Sequence, residues 1–210
     1  MPLKITKPLD NILNTKIKTK ILRFFCRTGA EWNGRQVARE IKVTPKAAHE
    51  ALSALSGEGV LLLRNMGKTH VYSLNEDSFL VSNMLKPLFV GEDRILGNIM
   101  RIIKRKVSSS DAKKGIIAIA LFGSVNARKD HSMSDIDLAV IVENVRTKIA
   151  ARRLFEEIDK KVLREFGNTI SPYINTLSEF RSKYKKGMEV IKNILKSNDV
   201  IYGERMDKIL

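Results

Sequence analysis

Cysteine is almost absent: Cys26 stands alone in 210 residues, so the chain has no internal disulfide framework. Histidine is nearly as scarce, and His49, His70 and His131 form no Cys/His cluster with the spacing of structural zinc. Cys26 therefore reads as a small core residue. Acidic residues are in deficit, 23 Asp+Glu against 38 Lys+Arg, which leaves a net charge of +15. Long apolar runs are missing too. The longest, Ile116 to Phe122, falls far short of the roughly 20 residues needed to cross a bilayer. The start, Met1-Pro2-Leu3-Lys4-Ile5-Thr6-Lys7, is basic but lacks the apolar stretch of a secretory signal. These absences predict a cytoplasmic chain with no membrane partner.

What is present supports a folded protein, since 43% hydrophobic residues in a chain of this length can build one large core or two small ones. The positive excess attracts polyanions such as DNA, RNA or nucleotides, a property shared with membrane-surface binders. A break between helical patterns is expected at Phe89-Val90-Gly91-Glu92-Asp93, dividing the chain into domains 1–90 and 91–210. The first holds 14 Lys+Arg and 7 Asp+Glu and the second 24 and 16, so neither is a simple basic tail.

In the first half, Ile17, Ile21, Leu22 and Phe25 recur at helical spacing and Thr28-Gly29 stops the segment. Asn33 caps a second helix carrying Val37, Ala38 and Ile41. After a short turn, Thr44 as N-cap and Pro45 at the first position start a third, with Ala48, Leu52 and Leu55 as its buried stripe. Gly57-Glu58-Gly59 ends it, and two β-rich runs follow, Val60 to Arg64 and Lys68 to Leu74, joined by Asn65-Met66-Gly67. Helix, helix, turn, helix, hairpin is an order that can present one helix to a DNA major groove. Thr44, Lys46, His49 and Ser53 lie opposite the buried stripe and are the candidate base and phosphate readers. Arg64 and Lys68, with His70, sit at the hairpin tip as candidate contacts to an adjacent phosphate backbone. The segment from about Thr15 to Leu74, including Leu55-Ser56-Gly57-Glu58-Gly59-Val60, resembles the winged helix-turn-helix domains of bacterial and archaeal regulators. That resemblance implies double-stranded DNA as a partner; a winged helix used for protein pairing is the other reading.

The second half predicts a helix from Asp93 to about Val107, an apolar strand Ile116 to Phe122, and a second strand Ile136 to Val142. A long helix from about Arg146 to Glu165, a third strand near Thr169 to Asn175, and helical structure from Leu177 to Lys196 broken around Gly187 complete it. Strands alternating with helices indicate an α/β domain. Leu121-Phe122-Gly123-Ser124 is followed after ten residues by Asp135-Ile136-Asp137-Leu138. Two carboxylates two positions apart on a strand share a face, and bringing them together calls for a cation. Mg²⁺ suits such a pair because it takes carboxylate and phosphate oxygens together. Gly123 lets a phosphate approach the backbone, and Ser124 can donate its hydroxyl to the same phosphates.

Gly-Ser-x10-Asp-x-Asp, with the Ser134-Asp135-Ile136-Asp137 form, resembles the minimal nucleotidyltransferases of the DNA polymerase β-like superfamily over about Lys113 to Asn175. The resemblance implies an α+β domain with a short mixed sheet and Mg²⁺ held by Asp135 and Asp137 as catalytic carboxylates. It also implies a nucleoside triphosphate contacted by Gly123 and Ser124, with Arg128 a further nucleotide contact. Two departures from the family stand out. The third strand, Thr169-Ile170-Ser171-Pro172-Tyr173-Ile174-Asn175, carries no acid where the family has a third carboxylate; Ser171 or Asn175 is the nearest substitute, and Glu179 lies beyond the strand. The loop reads Ala127-Arg128 where the family often has Arg-Gly.

Two functions follow. One is Mg²⁺-dependent transfer of a nucleotidyl group to an acceptor hydroxyl, with the winged helix bringing the activity to DNA or controlling the protein's own gene; a partner protein can serve as acceptor. The other is a non-enzymatic transcriptional regulator whose second domain binds nucleotide or a partner protein. Both readings allow a homodimer.

Overall fold

The computed structural model describes residues 5–127 and 134–210. The chain folds as two compact units, Met1–Arg94 and Ile95–Leu210. Among the described residues, no helix is long and apolar enough to cross a membrane.

The first unit contains α1 (Leu9–Ile12), α2 (Lys16–Thr28), β1 (Trp32–Asn33), α3 (Gly34–Glu40), α4 (Pro45–Gly57), β2 (Leu61–Met66), β3 (Thr69–Leu74) and a π-helical turn (Val81–Leu85). The helices start at polar caps. Asn33 accepts from the Gln36 N–H while the Gln36 side chain returns to the Asn33 N–H, and the Thr44 hydroxyl accepts from the Ala47 N–H. Leu22, Phe25, Val37, Leu52, Leu55 and Leu61 then close a single core. The strands form an antiparallel sheet in the order β1-β3-β2. Met66 pairs with Thr69, so the hairpin turns on Gly67-Lys68, one step beyond the expected Asn65-Met66-Gly67. Gly67, at φ +59°, supplies the positive φ that a two-residue hairpin turn needs at its first position.

The expected break at Phe89 to Asp93 is absent. Instead α5 runs unbroken over Lys86–Ser108, starting earlier than the predicted Asp93. A helical glycine costs about 1 kcal/mol, too little to stop a helix whose apolar stripe is anchored. Phe89 is buried in the first core, and Glu92 and Asp93 are ion-paired to Arg23 and Arg27 of α2.

The second unit continues with a 3-10 turn (Asp111–Gly115), β4 (Ile116–Leu121), α6 (Gly123–Asn126), β5 (Ile136–Val142), α7 (Val145–Phe166), β6 (Ile170–Thr176), α8 (Leu177–Lys185), α9 (Glu189–Lys196) and β7 (Asp199–Gly203). Its sheet has the order β6-β5-β4-β7 and is mixed: β5 and β6 are parallel, while β4 is antiparallel to both β5 and β7. The two central strands are apolar at every position but Asp137, because both faces are covered. Ile119, Leu121, Leu138 and Val140 pack with α5 and α7; Ala118, Ala120, Ala139 and Ile141 lie under Phe180, Ile191 and Ile194 of α8 and α9.

Strand β6 ends the sheet, and its outer edge is largely closed. The Ile136 N–H bonds to the Thr169 carbonyl, so residues 170, 172, 174 and 176 turn their backbone groups away from β5. The Ile170 N–H donates to Asp159 Oδ1 at 2.7 Å, Pro172 has no N–H, and the Thr176 N–H donates to Glu179 Oε2 at 2.9 Å.

Candidate functional site

Strands β4 and β5 bring Gly123 and Asp137 together. The Phe122 N–H donates to the Asp137 carbonyl oxygen at 3.0 Å, which sets the next residue, Gly123, against the Asp137 side chain. A Cβ at position 123 would lie 2.1 Å from Asp137 Oδ2, and Gly123 has φ +77°. Glycine is required on both counts, by contact and by backbone. Gly123→Ala is therefore expected to cost about 1–2 kcal/mol for the left-handed backbone alone and to push the Asp137 carboxylate aside. Thermal melts and Mg²⁺-triphosphate titrations check this; an unchanged melting temperature and affinity would show that the contact is dispensable.

Asp135 is exposed at the entry to β5, and its Oδ1 accepts from the Thr169 hydroxyl. The Thr169 carbonyl also accepts from the Ile136 N–H at 2.9 Å, so one residue fixes both the strand entry and the carboxylate. Burial, and then repulsion from Asp135, raise the Asp137 carboxyl above its ordinary range. Asp135 and Asp137 thus form an anionic pair with no ion-pair partner among the described residues, a donor set that a divalent cation sharing its coordination with triphosphate oxygens would fit. Among the described residues no group of three or more His, Cys, Asp or Glu is placed to hold a metal.

The parallel register pairs Asp137 with Ser171. An exposed hydroxyl thus stands across the strand from the second carboxylate. Asn175 does not join them: it is fully buried, and its Oδ1 accepts from Lys183 Nζ at 2.5 Å. Glu179 is occupied as well, closing a capping box with Thr176 and pairing with Lys148 at 2.6 Å. The hydrogen bond to the Lys148 ammonium, followed by the bond from the Thr176 N–H, holds its carboxyl below the usual range. Ser124 lies in the single turn of α6, which is tied at Asn126 to Ser197 by a 3.1 Å hydrogen bond. Arg128 lies outside the described residues.

In the first unit, Thr44, Lys46, His49 and Ser53 are exposed along α4, and the Thr44 oxygen is engaged in capping. His49, Lys68 and His70 line one cleft of about 500 Å³ together with Arg35, a cation that the sequence pattern did not single out. Arg64 is not among the residues lining that cleft and forms an exposed ion pair with Glu31.

Residues 105–207 match the family model described as polymerase beta, nucleotidyltransferase. No curated protein matches the chain. Among solved structures, the chain is similar to the homodimeric winged helix-turn-helix DNA-binding domain of Mb0332 from Mycobacterium bovis, a possible ArsR-family transcriptional regulator. The identity is 21% over 40% of this chain and 73% of that one, with a TM-score of 0.34. A crystal structure of a possible transcriptional regulatory protein fragment from Mycobacterium bovis has 21% identity, covers 43% of this chain and 99% of that one, and has a TM-score of 0.34. A toxin-antitoxin crystallised with AMP-PNP has 19% identity, covers 51% of this chain and 76% of that one, and also has a TM-score of 0.34. The first unit has the helix, helix, turn, helix, hairpin order of a winged helix-turn-helix, and the second, whose residues 105–207 match the nucleotidyltransferase model, is an α/β unit with a short mixed sheet.

Proposed function

We propose that this protein is a Mg²⁺-dependent nucleotidyltransferase that moves a nucleotidyl group from a nucleoside triphosphate to an acceptor hydroxyl, and that its winged helix binds double-stranded DNA. The observation that carries the reading is the seating of the Asp137 carboxylate directly over Gly123, with Asp135 two residues away on the same face. Asp135 and Asp137 are the residues that would hold the metal. The chemistry a bound Mg²⁺ supplies is charge neutralisation between these carboxylates and the triphosphate oxygens. Gly123 leaves room for phosphate against the backbone, and the Ser124 hydroxyl donates to the β- and γ-phosphates. The acceptor oxygen bonds to the α-phosphorus as the bond from that phosphorus to the bridging oxygen breaks. Pyrophosphate leaves with the electron pair, and the hydroxyl proton passes to solvent.

Ser171 in place of an acid favours a second reading, a nucleotide-binding regulator without transfer. Incubation with labelled ATP, CTP, GTP and UTP, offering the protein itself, RNA and partner proteins as acceptors, separates the two. Label in a product supports the enzyme; Mg²⁺-dependent binding without transfer supports the regulator.

For the winged helix, duplex binding is expected to weaken steeply with salt. Lys46→Ala with Lys68→Ala should flatten the plot of log K against log[salt] by about 1.8, from about 0.9 per phosphate contact. Arg64→Ala should change it less, because Glu31 already holds that guanidinium. Equal slopes for wild type and the Lys46/Lys68 variant would remove these residues from the interface.

A further inference from the structure

The cleft of about 500 Å³ in the first unit lies between the start of α3, the first turns of α4 and the β2–β3 hairpin, with Arg35, His49, Lys68, Thr69, His70 and Tyr72 in its wall. Its charge is of one sign. Arg35 comes from α3 and Lys68 from the hairpin, and among the described residues neither is in an ion pair and no carboxylate lines the wall. The acids nearest Arg35 in sequence are already engaged, Glu31 with Arg64 and Glu40 with Arg39, and Glu50, beside His49, is not part of the lining. Asn33 also faces the cleft, but its amide oxygen accepts from the Gln36 N–H.

Tyr72 forms the floor. It pairs with Trp32 of β1 and Leu63 of β2 in the middle of the sheet, packs in the first core and is 2% exposed, while Arg35, His49, Lys68, Thr69 and His70 are exposed around it. A buried tyrosine ordinarily spends its hydroxyl on a protein partner. Among the described residues the Tyr72 hydroxyl has none, and the one side-chain N or O that is both unpartnered and sealed from the surface is Asn175 Nδ2, so the Tyr72 oxygen opens on the cleft that the residue lines. Burial raises the phenol above its ordinary range, so at neutral pH it keeps its proton and is a donor.

A guanidinium, an ammonium, two hydroxyls and an N–H on each imidazole thus share one cleft without a carboxylate to receive them. A ligand that brings several acceptor oxygens and negative charge answers that set. A metal ion does not, because two fixed cations stand beside the two imidazoles. The volume is that of a small-molecule site. A DNA duplex carries its phosphates along a stiff rod, which can meet the exposed rim at Lys68, and Lys46 outside the cleft, but does not reach a floor that is 2% exposed.

We propose that this cleft binds a small free oligophosphate, with Arg35 and Lys68 on its charges and the Tyr72 hydroxyl donating to it from the floor, and that this ligand competes with duplex DNA for His49 and Lys68. The competition rests on the DNA reading of the winged helix; the oligophosphate site does not. Calorimetry on the full chain with inorganic tripolyphosphate, without Mg²⁺, tests the site, and fluorescence anisotropy with a labelled duplex at matched ionic strength tests the competition. Arg35→Ala and Tyr72→Phe are each expected to weaken tripolyphosphate at least about tenfold, the scale of one hydrogen bond to a charged group. Tyr72→Phe leaves every charge in place, so its effect cannot come from general attraction to a chain of net charge +15. The same variant should bind the duplex like wild type, whereas Lys46→Ala should weaken the duplex and leave tripolyphosphate unchanged. If Tyr72→Phe melts early, Thr69→Val, at an exposed position, carries the same test.

No tripolyphosphate binding, or equal affinity in the Arg35 and floor variants, would overturn the site. Duplex binding that tripolyphosphate fails to displace would overturn the competition. A duplex weakened by Tyr72→Phe while tripolyphosphate fails to bind would make the cleft a DNA-backbone contact and end the proposal. Failure of the duplex to bind at all, beside an intact tripolyphosphate response, would sink the DNA reading and leave the oligophosphate site standing.

Discussion

Replacing Asp135 and Asp137 together by asparagine is expected to abolish Mg²⁺-dependent binding of nucleoside triphosphate, a loss of at least about a hundredfold, while the apo fold becomes slightly more stable at neutral pH. The loss follows because the triphosphate brings its own negative charge to an anionic pair, and only a cation held by both can join them. The gain in stability has the opposite origin. Burial and the neighbouring Asp135 raise the Asp137 carboxyl, so its ionised form is disfavoured in the folded chain. That penalty is present at neutral pH and disappears as acid protonates the group, so the advantage of the variant should shrink as the pH falls. The amide oxygen introduced at position 135 can still accept from the Thr169 hydroxyl, which keeps the strand entry in place. Calorimetry with Mg²⁺ and triphosphate, beside chemical denaturation without metal, checks both halves. Binding that survives in the double variant would mean the carboxylates are structural.

Ser171→Asp is expected to raise the transfer rate by about a hundredfold or more, the scale on which a positioned acid or base contributes. The register already sets residue 171 across from Asp137 on the exposed end of β6, so a carboxylate there needs no rearrangement to join the pair. It would supply what the present hydroxyl does not, a proton acceptor for the attacking hydroxyl and a third oxygen ligand. Triphosphate affinity should change far less than rate. Single-turnover measurements with saturating nucleotide separate the two effects, and a rate equal to or below wild type would show that position 171 does not face the acceptor.

How much of this was legible in the sequence varies with how local each cause is. Strand β5 could be read to the residue, Ile136 to Val142, because a run apolar at every position but Asp137 stands out between Asp135 and Glu143. The caps at Asn33 and Thr44 were legible for the same reason, since each acts within three residues. The local pattern around Gly91 points to a break in α5, while the anchoring by Arg23 and Arg27 that carries the helix through it lies more than sixty residues back in the chain. Strand β7 is short and lies at the sheet edge with an irregular burial pattern, so it left no alternation to find. At the candidate sites the residue types were legible and their engagements were not. Arg64 looked available until Glu31, 33 residues away, was found bonded to it. The absent acid on the third strand could be read directly, yet that Ser171 is the residue opposite Asp137 depends on a parallel register that no local pattern specifies.

The closed edge of β6 has a consequence for how the protein behaves in a crowded solution. A strand at the border of a sheet is a template on which other chains can stack, and copies newly released from synthesis are the most exposed to it. Here a carboxylate, a proline and a capping glutamate take away the donors at three of the four outward positions of that template. The strand that stands next to the candidate catalytic pair is thereby a poor template for other copies of the chain.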